Sequence, residues 1–192
     1  SFAIKFQYRD SKTFIHESFL SSDDKQIQRF KTTFFSRAKW RKIILFSKSK
    51  FKLICTPFDE ISVKNVIKDK FDYLKIASCS ATDWPLLETV AKKIKKRNII
   101  CSLGGANKDE ISNVISFFST KNLNVKFLYC VAKYPTPPKD LNLIYFQELK
   151  NLYGDKIAGI SLHEDPNEFL SGAIGYSMGA RIFEKHIGLT TR

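Results

Sequence analysis

Seven short apolar runs alternate with amphipathic stretches from one end of the chain to the other, and this rhythm limits the folds open to it. The runs are residues 3–7, 51–55, 73–77, 98–102, 125–130, 157–161 and 180–184. Most are continuously apolar, as parallel strands covered on both faces are. The segments between them read as helices. Asp83 is placed to cap one whose inner face is Leu86, Leu87, Val90, Ala91 and Ile94. Asn107 is placed to cap another, with Ile111, Val114, Ile115 and Phe118 facing inward. Residues 140–153 and 166–178 supply two more, and Asp59-Glu60 starts a further one. The stretch 22–48, with Phe30, Phe34, Phe35, Trp40 and Ile43, reads as helix plus an irregular excursion. Such a β/α alternation suits a doubly wound sheet or a (β/α)8 barrel, and periodicity does not choose between them. No linker breaks the chain, so residues 1–192 read as a single domain.

Composition narrows the function classes. At 43% hydrophobic residues the chain has the makings of a core. No apolar run approaches the ~20 residues that span a bilayer, so no membrane partner is expected. The first residues read as mid-strand rather than as a signal peptide. With no initiator Met, the chain is expected to be a piece of a longer protein. The net charge is 32 − 19 = +13. Its main clusters, 37–52 and 92–97, read as solvated helix surface, and no aromatic-and-basic recognition motif points to nucleic acid. Cys55, Cys79, Cys101 and Cys130 form no CxxC pair. They read as buried thiols near strand ends in a cytoplasmic protein.

The chemistry gathers where strands end. Lys5 and Gln7, Thr56, Lys75 and Ser78, Ser102, Tyr134, Ser161 and His163, and Glu184 and His186 all stand at or just after strand C-termini. Active sites of β/α proteins are built there. Lysine inside a strand is costly unless it is paired or binds an anion. Lys5 and Lys75 therefore read either as structural ion pairs or as joint ligands of a phosphate or carboxylate. His163 and His186 each follow a short apolar segment. Two neutral imidazoles meeting at one mouth make a site for a divalent ion. Gly104-Gly105 gives a loop whose N–H groups can approach an anion. Tyr134-Pro135-Thr136-Pro137 fixes a rigid loop with an aromatic wall. His16 stands alone and receives no role.

Six segments, taken in order, carry a family resemblance. They are Ala3-Ile4-Lys5-Phe6-Gln7, Thr56-Pro57-Phe58-Asp59, Tyr73-Leu74-Lys75-Ile76-Ala77-Ser78, Tyr134-Pro135-Thr136-Pro137, Gly159-Ile160-Ser161-Leu162-His163 and Glu184-Lys185-His186. Together they resemble the sialic acid synthases. The resemblance implies an α/β fold, a (β/α)8 TIM barrel, of which this chain would hold strands two to eight. The first strand and the C-terminal antifreeze-like domain would be missing. It implies a metal-dependent enzyme that condenses phosphoenolpyruvate with an N-acyl hexosamine or related aldose, giving a nonulosonic acid and phosphate. Mn2+ or Mg2+ is the implied cofactor, and a homodimer the implied full-length state. Lys5, Gln7, Thr56, Lys75, Ser78, Ser102, Tyr134 and Ser161 are the implied substrate-binding residues, most of them on phosphoenolpyruvate and Tyr134 on the sugar. His163 and His186 are the implied metal ligands. Glu184, Lys75 and His163 are the implied catalytic groups. Leu162, Ala132, Tyr129 and Ser80 stand where the family has Asp, Asn, His and Glu, and these differences fall mainly on the sugar side. The alternative reading is a non-catalytic sugar-phosphate-binding barrel derived from the same family.

Overall fold

The computed structural model describes residues 2–10, 12–94, 98–165 and 167–188. Lys95, Lys96 and Arg97 of the second basic cluster, and Pro166 at the expected start of a helix, lie outside the described residues. The chain divides into two compact units.

The first unit comprises residues 1–75 and 84–97. Strand β1 (Ala3–Tyr8) runs parallel to β2 (Lys52–Pro57), in register from Ala3 opposite Lys52 to Tyr8 opposite Pro57. Strand β3 (Tyr73–Ile76) pairs parallel to β2, with Ile54 opposite Tyr73. Between β1 and β2 the chain makes α1 (Lys25–Thr32) and α2 (Arg37–Lys48). Asp24 and Ser36 cap them by accepting backbone N–H bonds, which gives otherwise orphaned first-turn donors a partner. Trp40 anchors α2 against β1, with ring centres 4.8 Å from Tyr8 and 5.7 Å from Phe6. Helix α3 (Glu60–Lys68) follows β2, and α4 (Trp84–Lys93) begins directly after Asp83. The face expected on α4 is the one that is buried: Leu86, Leu87 and Val90 lie inside, with Ile94 just beyond. Each such side chain stabilises the fold by about 1.5–3 kcal/mol relative to exposure.

The second unit comprises residues 76–83 and 98–192. Strands β4 (Asn98–Ser102), β5 (Val125–Cys130), β6 (Ile157–Ser161) and β7 (Ile182–Glu184) are all parallel and lie side by side in chain order. The crossovers are α5 (Lys108–Thr120), α6 (Leu143–Tyr153) and α7 (Leu170–Ser177). Asn107 and Glu110 form a reciprocal capping box at the start of α5. That helix buries Ile111, Val114, Ile115 and Phe118, as its sequence pattern requires.

Three local expectations are corrected. The last strand starts at Ile182 rather than at residue 180. Gly179 has φ +93°, and the turn it makes occupies the positions before the strand. Helix α6 starts at Leu143, because Pro138–Asp140 form a separate 3-10 turn behind the prolines. Cys79 is exposed on a 3-10 turn, whereas Cys55, Cys101 and Cys130 are buried in strands. None of the helices among the described residues is long and apolar enough to cross a membrane.

Candidate active site

The mouth of β6 and β7 brings together the side chains of greatest chemical interest. Ser161 pairs with Glu184 across the two strands, and its Oγ donates to Glu184 Oε1 at 3.3 Å. Gly159 lets the strands approach. A Cβ there would lie 1.8 Å from the Ile182 carbonyl oxygen. Two residues past each strand end stand His163 and His186, their ring centres 5.0 Å apart. Tyr134 completes an aromatic triangle at 5.6 Å from His163 and 5.4 Å from His186. Its loop is held by two bonds from Thr136, which is buried. The Thr136 N–H donates to the His163 carbonyl at 2.8 Å, and its hydroxyl donates to the Lys133 carbonyl at 2.6 Å. The Tyr134–Pro135 bond is cis, and Tyr134 itself is 72% exposed.

His163 is half-buried, and its Nδ1 is buried without a hydrogen-bond partner. The Cys130 thiol beside the ring is the largest influence on it and raises its pKa. Burial opposes that rise, and the Val131 carbonyl and the Glu184 charge add to it. An orphaned ring nitrogen beside a second imidazole suits a shared cation. Two imidazoles on one ion, at metal–nitrogen distances of about 2.1 Å and a ligand angle of about 90–110°, hold their ring centres roughly 4.5–5.5 Å apart. The observed separation falls in that window. Among the described residues no three His, Cys, Asp or Glu side chains gather into a larger ligand set.

The hydroxyls form a second group in the same unit. Ser102, at the end of β4, is 1% exposed, and its Oγ has no partner. Ser78 accepts the Gly104 N–H at 3.1 Å. Gly104 is required by close packing, since a Cβ would come within 2.8 Å of Cys130 Sγ and 3.0 Å of Ser78 Oγ. The first unit supplies the remaining residues singled out in the sequence. Lys75 on β3 is 2% exposed and Lys5 on β1 is half-buried. Thr56, at the end of β2, is 1% exposed with an unpartnered Oγ1. Gln7 is exposed and accepts a bond from Arg9.

The sequence matches the NeuB family over residues 2–192. The chain belongs to that family. Two relatives by sequence are the human N-acetylneuraminate-9-phosphate synthase and the N,N'-diacetyllegionaminic acid synthase of Campylobacter jejuni. The human protein is 31% identical over 68% of this chain and 35% of its own length. The Campylobacter protein is 31% identical over 88% of this chain and 50% of its own. A crystal structure from Chromobacterium violaceum, of a protein named for spore coat polysaccharide biosynthesis, superposes with a TM-score of 0.91. It is 39% identical and covers 97% of this chain and 55% of that one. The sialic acid synthetase of Leptospira borgpetersenii, solved with citrate, superposes at 0.84 with 28% identity, covering 98% of this chain and 63% of that one. The chain thus spans about half or less of the length of the curated relatives it matches.

Within this NeuB-family chain, some site features carry no signature in the sequence. Glu164 and Lys185, each next to one of the two histidines, form an ion pair at 3.4 Å. Ser171 on α7 donates to the same Glu164 oxygen at 2.6 Å, and Lys185 also reaches the Glu168 carbonyl. The pair clamps the loops that carry His163 and His186. In the first unit, Asp59 starts α3 as the sequence leads one to expect, buried and accepting the N–H of Ser62 at 2.7 Å and its hydroxyl at 2.8 Å. It also accepts the Asp10 N–H at 2.7 Å, which ties down the loop after β1. Cys130 reads in the sequence only as a core thiol, yet it lies against His163.

Proposed function

We propose that this chain carries the catalytic groups of a sugar acid synthase that joins phosphoenolpyruvate to the open-chain aldehyde of an N-acyl hexosamine or related aldose. The observation that carries the reading is the pair of strand-end imidazoles, 5.0 Å apart, beside the Ser161–Glu184 bond. His163 and His186 are the groups to hold a divalent ion, Mn2+ or Mg2+. Such an ion supplies Lewis-acid polarisation of the aldehyde when bound. Glu184, poised by Ser161, takes or returns a proton at the sugar oxygen. Tyr134 offers an exposed aromatic wall to the sugar. Ser102 and Thr56 offer buried hydroxyl donors to anionic oxygens, and Ser78 holds the Gly104 loop. Lys5 and Lys75 supply the cationic charge that a phosphate and a carboxylate require. The C3 carbon of phosphoenolpyruvate attacks the aldehyde carbon, water adds at C2, and phosphate leaves.

The reading extends to the whole protein. It is a (β/α)8 barrel of which this chain forms strands two to eight, working in the cytoplasm as a homodimer. The test is manganese titration of the wild type and of His163→Ala and His186→Ala, paired with phosphate release from phosphoenolpyruvate and N-acyl hexosamines. Each substitution should weaken manganese binding by at least about tenfold and abolish release. Unchanged affinity in both variants would remove the metal from the reading. Ligand binding without phosphate release in the full-length protein would favour the non-catalytic alternative.

A further inference from the structure

The first unit contains a cavity of about 330 Å³ between the loop after β1 and helix α1. None of the residues given a part in the synthase chemistry lines it. Its floor is apolar. Ile15 is buried there, and Phe14 and Phe30 are half-buried with ring centres 5.1 Å apart. Leu20 and Phe34 remain 49% and 55% exposed, so the cavity opens to solvent beside them. Among the described residues that line it, the charged ones are Arg9 and Lys31, both cationic. The Arg9 guanidinium lies 4.6 Å from the centre of the Phe30 ring, 4.7 Å from that of Phe58 and 5.4 Å from that of Phe14. Cation–π attraction to the three rings holds it in place. Lys31 donates from Nζ to the Leu20 carbonyl, which joins α1 to the loop. The Asp59 carboxylate fixes the root of the same loop through the Asp10 N–H. The cavity is thus built before any ligand arrives.

Two cations above an apolar floor select for an acid with an apolar body. A guanidinium presents its N–H donors as a fork that matches the two oxygens of a carboxylate. Aromatic rings around it lower the local dielectric and strengthen such a bond. Arg9 already donates to Gln7, and the ligand shares the guanidinium with it. The Lys31 ammonium adds attraction to the same charge, and the floor takes the apolar body by burial. A neutral ligand of the same shape would gain nothing from the cations, and a basic one would be repelled. We infer that this cavity is a binding site for a small monocarboxylic acid with an apolar body of about six to ten carbons, a size suited to the lower end of ligand-pocket volumes.

The test is calorimetric titration of octanoate into the protein, with octanol as the uncharged probe and acetate as the probe without a chain. Octanoate should bind saturably, and at least about tenfold more tightly than either of the others. It should also shift the Ile15 signals in methyl NMR spectra. Arg9→Gln should remove the advantage of octanoate over octanol. Lys31→Met should weaken octanoate by about threefold and leave octanol unchanged. Leu20→Trp adds bulk at an exposed position and should block both alkyl probes. General attraction of anions to a chain of net charge +13 would survive each single substitution. Should Arg9→Gln lower the thermal melt, Lys31→Met and Leu20→Trp decide the matter. Equal affinity for octanoate and octanol, binding that does not saturate, or octanoate affinity unchanged in both Lys31→Met and Leu20→Trp would each overturn the inference.

Discussion

Gly159→Ala should damage the site through the backbone. The added Cβ would sit 1.8 Å from the Ile182 carbonyl oxygen, 2.6 Å from its carbon and 2.8 Å from its nitrogen. All of these atoms are backbone, so no side chain can swing away. Relaxing the oxygen contact to about 3.2 Å requires β6 and β7 to separate by about 1.4 Å locally. A ladder bond of about 2.9 Å does not survive such a shift. The β6–β7 register covers only Gly159–Ile182, Ile160–Phe183 and Ser161–Glu184, so little pairing remains to absorb the change. Overpacking costs about 1–3 kcal/mol, and each lost hydrogen bond about 0.5–1.5 kcal/mol. The expected destabilisation is therefore about 2–4 kcal/mol by urea denaturation. Because Glu184 and His186 ride on the displaced strand, manganese affinity should fall as well. Gly172→Ala is the control. Nothing lies within 4 Å of its added Cβ, in the first turn of α7. It should be neutral, or stabilise by up to about 1 kcal/mol. If Gly159→Ala matches the wild type in both stability and manganese affinity, the close approach of the strands is not what holds this site.

Three other outcomes follow from the geometry. Ser102→Ala and Thr56→Ala each remove a buried hydroxyl that has no protein partner, so stability should stay within about 0.5 kcal/mol or rise while phosphoenolpyruvate affinity falls. A clear loss of stability would show that these oxygens bond within the fold. In the metal-free protein, the His163 ring should titrate above its ordinary 6.5 by NMR, and Cys130→Ala should lower the midpoint. A folded pKa above the unfolded one contributes stability that is fully present below about pH 6.5 and is lost as pH rises through the folded value. An unchanged midpoint in Cys130→Ala would exclude the thiol as the cause. Glu164→Ala should weaken manganese binding several-fold though Glu164 is not a proposed ligand, and equal affinity would show that the clamp on the histidine loops is idle.

Most of the fold was legible because burial on both faces forces an uninterrupted apolar run. Asn98–Ser102, Val125–Cys130 and Ile157–Ser161 match their expected bounds for that reason. The short last strand was misjudged at its start, since Ala180 is buried without belonging to the ladder. At the site, His163, His186, Tyr134, Ser161 and Glu184 are brought together as residues that follow strand ends should be. What the sequence concealed are contacts between positions far apart in the chain. Glu164 and Lys185 look like ordinary surface charges until the fold joins them, and the bond from the Asp10 backbone N–H to the Asp59 carboxylate leaves no mark in the sequence. Cys130 beside His163 was hidden because a buried thiol has the same sequence signature wherever it packs.

The Glu164–Lys185 pair has a thermodynamic consequence for any ion that the two imidazoles share. Twenty-odd residues of chain separate them, and an untethered second ligand would have to be recruited against the entropy of closing that loop. With the loops already joined, the second nitrogen is presented at a high effective concentration, and the two behave as one chelating arm. The Lys185 side chain is 36% exposed, within reach of dissolved salt. Raising ionic strength should then loosen the chelate and speed metal exchange, with neither histidine changed.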